Sequence, residues 1–292
     1  MSRPVFRFAP SPNGRLHLGH AYSALLNQVL ARERGGRLLL RIEDIDPARS
    51  RPDLVDAIFD DLSWLGLSWE EPVRRQSRHL AEHKAAADGL LGRGLLYPCF
   101  CSRGEIRQAA EAREFALGRP WSRDPDGAPH YPGMCRTLVR SAMQARLDRG
   151  DRPAWRLDTA RALATFGAAP VWTRFDRGGA EHRVQADPAR WGDPVLVRRD
   201  VPTSYHLAVV VDDALQGFTH VVRGRDLEAA TDLHALLQGL LQHPSPLYCH
   251  HDLVRDAAGA KLSKSLGSAA LAERRADGAT AADIRRELGF RG

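Results

Sequence analysis

Two short apolar runs with one helix between them occupy the first 45 residues of this chain. The runs "VFRFAP" and "GRLLLRIED" have the composition of buried strands, and the segment from about His20 to Arg34 has that of a helix ended by a glycine pair. Strands joined by a single helix pair in parallel, with a right-handed crossover. The segment therefore predicts an α/β fold with a doubly wound parallel sheet, which a second amphipathic helix from about Arg51 to Leu65 covers.

Composition and charge narrow the function classes. The chain has 292 residues, of which 43% are hydrophobic, enough to bury the core of one large or two modest domains. Its 42 Lys and Arg against 36 Asp and Glu leave a net charge of +6, which suits a polyanionic partner but is equally common without one. The first residues form no apolar targeting segment, and the uncharged runs are too short to span a bilayer. We therefore expect a cytoplasmic protein.

The rest of the chain continues the alternation after one interruption. A stretch rich in proline, glycine and charge, from about Pro98 to Arg136, is typical of an insertion. Apolar segments resume at "AWRLDT" and "DPVLVRRD", and "SYHLAVVVDDALQGFTHVVRGRDL" predicts a buried strand or helix, then a turn and a strand. Further helices are expected from about Glu228 to Leu241 and in the Ala-rich tail from Ala269 to Leu288.

The turn "APSPNGRLHLGH" leaves the first strand and enters the first helix, which is where doubly wound sheets bind ligands. Gly14 and Gly19 allow a close approach of the backbone, and the amide groups at the start of the helix favour a phosphate. His17 and His20 can donate to the same oxygen atoms. Taken alone, the two histidines are equally compatible with a polar surface turn.

A second stretch, "GAKLSKS" at 259–265, places Lys261 and Lys264 in a loop that begins with glycine. Two ammonium groups on such a loop suit a phosphate chain whose charge develops as a bond breaks. Taken alone, the stretch is also compatible with a solvated basic turn.

With both stretches present in this order, the chain resembles the class I aminoacyl-tRNA synthetases. "HLGH" (17–20) matches their HIGH-type motif and "KLSKS" (261–265) their KMSKS-type motif, with one apolar departure in each, at Leu18 and Leu262. The resemblance implies a Rossmann-like catalytic domain. It also implies catalytic roles for His17, His20, Lys261 and Lys264, and ATP binding by His17, Gly19, His20 and Lys264, with Mg²⁺ accompanying the ATP.

Within that class the glutamyl branch is the most similar, through "RFAPSPNGRLHLGHAYSALLN", "LLLRIEDID", "SYHLAVVVDD" and "VVRGRDL". Glutamate has two carboxylates and one ammonium group, so its pocket requires guanidinium groups and a carboxylate. The resemblance assigns glutamate binding to Arg7, Ala9, Ser11, Glu43, Tyr205 and Arg223. Two alternatives stay open. In one, Arg223 and Glu43 form an ion pair with each other across the sheet instead of binding glutamate. In the other, Tyr205 serves only to pack the core.

The cysteines favour one family within this branch. Three of the four cluster, and "CFC" at 99–101 with "YPGMC" at 131–135 resembles the zinc pattern of the glutamyl-Q tRNA(Asp) synthetases, the truncated paralogues of glutamyl-tRNA synthetase. The resemblance implies one structural zinc ion held by Cys99, Cys101, Tyr131 and Cys135, because a closed tetrahedral set pins a loop that has little core. The alternative is two buried cysteines and an unrelated third. "CHH" at 249–251 is left unassigned, since adjacent side chains on a strand point to opposite faces.

The resemblance also implies a division of the chain and a reaction. We expect the first half of the catalytic domain in 1–97, a zinc-binding insertion in 98–150, the second half in 151–241, and in 242–292 the KLSKS loop and a helical tail without an anticodon-binding domain. The expected reaction is ATP-dependent activation of L-glutamate without tRNA, then transfer to queuosine at the wobble position of tRNA(Asp) by a monomer that binds the anticodon stem-loop. The alternatives are a short glutamyl-tRNA synthetase that charges the 3′ end and a noncatalytic tRNA-binding paralogue.

Overall fold

A sheet of seven strands lies at the centre of the molecule. The structure, a computed structural model, describes residues 3–255 and 269–290. The seven strands, numbered in chain order together with those of a second sheet, are β1 (Val5–Phe8), β2 (Arg37–Ile42), β3 (Glu70–Arg75), β6 (Val171–Phe175), β7 (Glu181–Gln185), β9 (His220–Gly224) and β10 (Leu247–His251). Their order across the sheet is β3-β2-β1-β9-β10-β6-β7. All neighbours pair in parallel except β6 and β7, which form an antiparallel pair at the edge. The predicted doubly wound sheet is confirmed.

The first strand, helix and strand form the expected unit. Helix α1 (Leu18–Glu33) connects β1 to β2 and buries an apolar face against the sheet. It begins two residues earlier than predicted, because the His17 side chain caps it. The chain then reverses at Gly35, whose φ of +58° favours glycine, and at Gly36, where a Cβ would lie 2.8 Å from the Pro4 carbonyl oxygen.

Helices cover both faces of the sheet. They are α2 (Pro52–Trp64), α3 (Leu80–Gly92), α4 (Arg103–Leu117), α5 (Arg140–Asp148), α6 (Thr159–Phe166), α7 (Tyr205–Leu215), α8 (Glu228–Leu240), α9 (Leu271–Ala276) and α10 (Ala281–Glu287). One core packs α1 and α2 on β1 and β2, and the tail helices add Leu271 and Ile284 to it. A second core lies among α3, α7 and α8. The segment "SYHLAVVVDDAL", left open between strand and helix, is α7. Within the described ranges, every helix is too short or too polar to cross a membrane.

A small antiparallel sheet stands beside the second core. Its strands are β4 (Leu96–Cys99), β5 (Ala154–Leu157) and β8 (Val195–Val197), in that order. The chain leaves β4 into the residues predicted to be an insertion and returns from them into β5. Both ends of that segment are therefore anchored in one sheet.

Candidate active site

A cavity of about 640 Å³ opens at the carboxyl ends of β1 and β9, the neighbouring strands at which the winding of the sheet reverses. The ligand-binding residues predicted from sequence, as far as the structure describes them, all line this cavity: Arg7, Ala9, Ser11, His17, Gly19, His20, Glu43, Tyr205 and Arg223. Lys261 and Lys264 lie outside the described residues. One cavity thus brings together residues that are distant in the chain.

The two histidines lie at the start of α1 with their rings 3.9 Å apart. The His17 Nδ1 atom accepts a hydrogen bond from the Gly19 amide at 3.1 Å, and the His20 Nδ1 atom accepts one from the His17 amide at 3.2 Å. A ring nitrogen that accepts a hydrogen bond carries no proton, so each neutral ring carries its proton on Nε2. The helix cap therefore fixes both tautomers and gives both rings an Nε2–H donor.

Arg7 and Glu43 belong to a buried network of charges. The fully buried Arg41 donates to Asp213 at 2.6 Å and to Glu43 at 2.9 Å, and the Arg7 Nε atom lies 3.5 Å from the same Asp213 oxygen. Burial raises the pKa of the Glu43 carboxyl, while Arg41 and Arg7 oppose that shift. Glu43 thus pairs with Arg41, whereas the alternative considered from sequence was a pair with Arg223.

Arg223 emerges from β9 among neutral groups. Its Nη2 atom donates to the Thr231 hydroxyl at 2.9 Å, and its Nη1 atom lies 3.3 Å from His234 Nδ1 and 3.5 Å from the Tyr205 hydroxyl. Burial raises the pKa of Tyr205, so its hydroxyl keeps its proton. The guanidinium is 4% exposed and faces the cavity. A buried guanidinium whose hydrogen-bond partners are neutral is suited to receive an anion.

The residues that support these side chains were not predicted from the sequence. Arg41 stands two positions before Glu43 on the same side of one extended segment, and Asp212 and Asp213 form an acidic pair inside the apolar helix α7. Asp212 accepts hydrogen bonds from Arg74 and Gln76 and lies 3.0 Å from His83 Nε2. Charged residues within apolar runs were the available signal, because a buried charge requires a partner.

The predicted metal ligands also come together. The Sγ atoms of Cys99, Cys101 and Cys135 lie within 4.8 Å of one another. Cys101 Sγ is 3.4 Å from Cys135 Sγ and 3.4 Å from the Tyr131 hydroxyl oxygen. Two thiolates on one tetrahedral zinc ion lie about 3.8 Å apart, as follows from a Zn–S bond of about 2.3 Å. The three cysteines can therefore hold a metal ion, and Tyr131 is placed to complete the set.

The surroundings of this cluster suit a structural role. Cys99, Phe100, Tyr131 and Cys135 are the buried core of the inserted segment, whereas α5 buries none of its residues. A metal crosslink is one way in which a segment with so small a core can gain order. "CHH" lies on β10, where Cys249 is in the sheet core, His250 contacts Thr231 at 3.0 Å and His251 lines the large cavity.

The fold and the cavity are those of a class I synthetase. The family model described as "tRNA synthetases class I (E and Q), catalytic domain" matches residues 5–284. Among curated proteins, the Glutamyl-Q tRNA(Asp) synthetase of Rhodobacter capsulatus is 47% identical over 292 residues, covering 98% of this chain and 100% of that relative. The protein of that name from Symbiobacterium thermophilum is 41% identical over 93% of this chain and 81% of its own length. The chain belongs to the glutamyl-Q tRNA(Asp) synthetase family, and it is an ATP-dependent ligase of the glutamate–tRNA ligase type.

Solved structures agree with this assignment. A glutamate tRNA ligase from Elizabethkingia meningosepticum superposes with a TM-score of 0.71 at 27% identity, covering 90% of this chain and 52% of that one. A methionyl-tRNA synthetase from Mycobacterium tuberculosis shares the fold, with a TM-score of 0.56 at 13% identity. The chain spans about half the length of the Elizabethkingia enzyme.

Proposed function

We propose that this protein uses ATP to convert L-glutamate into glutamyl-adenylate without tRNA, and then transfers the glutamate to queuosine at the wobble position of tRNA(Asp). The observation that carries the first step is the meeting of Arg7 and Arg223 with the capped start of α1 in one cavity. The two arginines bind the carboxylates of glutamate, and Glu43 binds its ammonium group. Ala9, Ser11 and Tyr205 complete the wall around the amino acid.

Adenylate formation begins when the glutamate α-carboxylate attacks the α-phosphorus of ATP and pyrophosphate leaves. His17 and His20 donate through their Nε2–H groups to phosphate oxygens as charge develops there, and Gly19 lets the nucleotide approach the helix. Lys264 stabilises the same charge and Lys261 supports its loop. When ATP binds, the Mg²⁺ that accompanies it would supply screening of the phosphate charges. The protein contributes positioning and electrostatics, with no covalent enzyme intermediate.

The proposal that tRNA(Asp) is the acceptor of glutamate is based on similar proteins. The Rhodobacter protein named for tRNA(Asp) is 47% identical along its full length. A net charge of +6 supports contact with RNA, and a base splayed from an anticodon loop is a feature that proteins read specifically. A hydroxyl of the queuosine cyclopentene-diol then attacks the activated carbonyl and releases AMP. We propose that the protein carries out both steps as a monomer in the cytoplasm.

The metal in the insertion is proposed to be zinc. Three thiolates and a phenol oxygen suit zinc better than magnesium or calcium, which prefer all-oxygen sites. Cys99, Cys101, Tyr131 and Cys135 would hold the ion, whose role is structural because all four positions are occupied by the chain.

Two measurements test the proposal. Glutamate-dependent exchange of labelled pyrophosphate into ATP, without tRNA, measures the first step, and its absence in zinc-replete protein would refute adenylate formation. The second step is measured by transfer of labelled glutamate to tRNA(Asp) that carries queuosine, with queuosine-free tRNA(Asp) as the control.

The queuosine-free tRNA(Asp) control also distinguishes the proposed enzyme from a conventional glutamyl-tRNA synthetase. Glutamate--tRNA ligase 2 of Dinoroseobacter shibae is 38% identical over 93% of this chain, which keeps conventional charging of the 3′ end as a second candidate. Equal transfer to both tRNA preparations would favour that candidate. A noncatalytic paralogue would show neither exchange nor transfer.

A further inference from the structure

Arg223 differs in its partners from the other two buried arginines of this region, which are Arg7 in the cavity wall and Arg41 behind it. Arg7 and Arg41 both lie against Asp213, at 3.5 and 2.6 Å. Within the described ranges, Arg223 has no carboxylate within 4.0 Å, and its hydrogen-bond partners are a phenol, a hydroxyl and an imidazole. Within those ranges, Arg223 therefore forms no direct ion pair, whereas Arg7 and Arg41 each do.

The imidazole partner belongs to a defined pair. A guanidinium group only donates hydrogen bonds, so the His234 Nδ1 atom, 3.3 Å from Arg223 Nη1, must accept. The proton of the neutral His234 ring is then on Nε2, which lies 3.2 Å from His206 Nδ1 and donates to it. His206 in turn carries its proton on Nε2. Arg223 thus donates to His234, and His234 donates to His206.

The surroundings keep both rings neutral. His234 is 1% exposed, and the indole of Trp191 packs edge-on against His206 with ring centres 4.8 Å apart. Burial, with the nearby Arg223 charge, lowers the pKa of His206 to about 4 and that of His234 well below its ordinary value. A second neutral branch runs from Arg223 through Thr231, whose hydroxyl lies 3.0 Å from His250 Nε2.

We propose that His234, backed by His206, is a positioning residue that sets amino-acid specificity. It holds the Arg223 guanidinium in place without forming an ion pair with it, so that the side-chain carboxylate of glutamate, the group that glutamine lacks, can form that pair. This inference rests on the proposed function, in which Arg223 binds a carboxylate of glutamate.

The physical reason is that a neutral acceptor, unlike a carboxylate, orients Arg223 without forming an ion pair with it. A carboxylate at position 234 would orient Arg223 equally well but would form an ion pair with it, and the pocket would lose much of its preference for an anion. An imidazole accepts the hydrogen bond without supplying negative charge. Glutamine, which is nearly isosteric with glutamate but uncharged, is then disfavoured because it leaves the buried guanidinium without a counter-charge.

Three substitutions at one position separate orientation from charge. H234Q keeps an acceptor for Arg223 and a donor for His206, so its kinetics in pyrophosphate exchange should match those of the wild type. In H234L, the leucine side chain is similar in volume to histidine but has neither the acceptor for Arg223 nor the donor for His206. This variant should raise the KM for glutamate about 10-fold, while kcat changes much less. H234E should lower the selectivity for glutamate over glutamine, measured as the ratio of kcat/KM values, by about 10-fold or more.

H220Q is the matched control. His220 is a buried histidine on the same strand as Arg223 but at its opposite end, stacked on Phe6, and its substitution should leave glutamate KM and selectivity unchanged. Circular dichroism checks that each variant folds. Equal KM values for H234Q and H234L, or unchanged selectivity in H234E, would overturn the inference; if H234E does not fold, the comparison of H234Q with H234L still decides it.

A spectroscopic measurement separates this inference from the proposed function. Nitrogen-15 NMR of the imidazole groups should show His234 and His206 neutral at pH 7, both with the proton on Nε2. A charged His234 ring, or a proton on its Nδ1 atom, would overturn the inference whether or not the enzyme activates glutamate. Wild-type protein without glutamate-dependent exchange would instead refute the proposed function.

Discussion

Buried histidines in this protein occupy two kinds of environment. The His83 Nε2 atom lies 3.0 Å from a carboxylate oxygen of Asp212, so this ring has a carboxylate as its direct partner. His220 stacks on Phe6 at 4.6 Å and meets the edge of Phe175 at 5.1 Å, with the Thr219 hydroxyl at 2.8 Å from its Nδ1 atom. Burial of this second kind lowers the pKa of His220 to about 4, since a proton would bring an unbalanced charge into the core.

This difference predicts an acid-sensitive contribution to stability. The unfolded chain protonates His220 near pH 6.5, whereas the folded chain does so only near pH 4, so the histidine's contribution is present above pH 6.5 and is lost as the pH falls between these values. At pH 5.5 the loss amounts to about 1 kcal/mol. Urea unfolding at pH 7.5 and 5.5 should therefore show a smaller acid-induced loss in H220Q than in the wild type, and identical losses would contradict the assignment.

At the scale of single elements, the start of α1 combines two tasks in one residue. His17 ends the extended backbone with φ −129° and caps the helix through its ring, which also faces the cavity. The capping nitrogen and the donor nitrogen are on opposite sides of the imidazole. Structure and chemistry can therefore be separated by a residue that performs only the first task.

Asn is such a residue. Its amide oxygen accepts the capping hydrogen bond well, but its side chain is too short to place a donor where the Nε2–H group of His17 lies. H17N should keep the stability of the wild type, whereas H17A should lose about 1 kcal/mol. Both should slow pyrophosphate exchange, by about 10-fold to 100-fold, as expected for the loss of a donor to a developing oxyanion. Thermal unfolding and exchange kinetics measure the two effects, and full activity in H17N would remove His17 from the proposed catalytic group.

The inserted segment is the other element whose order depends on few residues. We predict one zinc ion per chain, released in C101S, with loosening of 98–150 while the main sheet stays folded. Atomic absorption measures the metal, and limited proteolysis measures the order of the segment. C249A is the control, since Cys249 lies in the sheet core apart from the cluster and its loss should leave the zinc content unchanged. A gently purified wild type without zinc would contradict the prediction.

At the scale of the whole molecule, buried and exposed charges are used differently. The charged residues Arg7, Glu43 and Arg223 in the cavity wall, and Arg41 behind it, are each 9% exposed or less, whereas the arginines of the inserted segment are largely at the surface. Salt screens exposed charges much more than buried ones. The two proposed steps should therefore respond differently to ionic strength.

Raising salt from about 50 to 200 mM should weaken binding of tRNA(Asp) by at least about 10-fold, because each phosphate contact releases counterions. The KM for glutamate in pyrophosphate exchange should change by less than about 2-fold over the same range, because its pocket is buried. Filter binding and exchange kinetics in the same buffers give the comparison. Salt-independent tRNA binding would show that contacts with the phosphate backbone do not dominate the interaction.

The sequence by itself determined the strand–helix–strand unit at the N-terminus, the glycine–histidine turn and the membership of the cysteine cluster. Each depends on residues close together in the chain, where periodicity, glycine placement and short spacings carry the information. The ligand-binding residues were assigned through the resemblance to the glutamyl branch. The common edge of a parallel sheet brings Arg7, Glu43 and Arg223 together, because they lie at or next to the carboxyl ends of β1, β2 and β9.

Only the tertiary structure decided which charges pair. Arg41 and Asp213 are 172 residues apart in the chain yet 2.6 Å apart in space, and this pair holds Glu43 and Arg7 at the cavity. The helical state of α7, which supplies Asp213, was likewise left open by an apolar run that fits a buried strand equally well. Long-range contacts of this kind depend on where the sheet places distant segments, and a single sequence contains no local signal for that placement. The neutral partners of Arg223 come from the same long-range packing of α7 and α8 against β9.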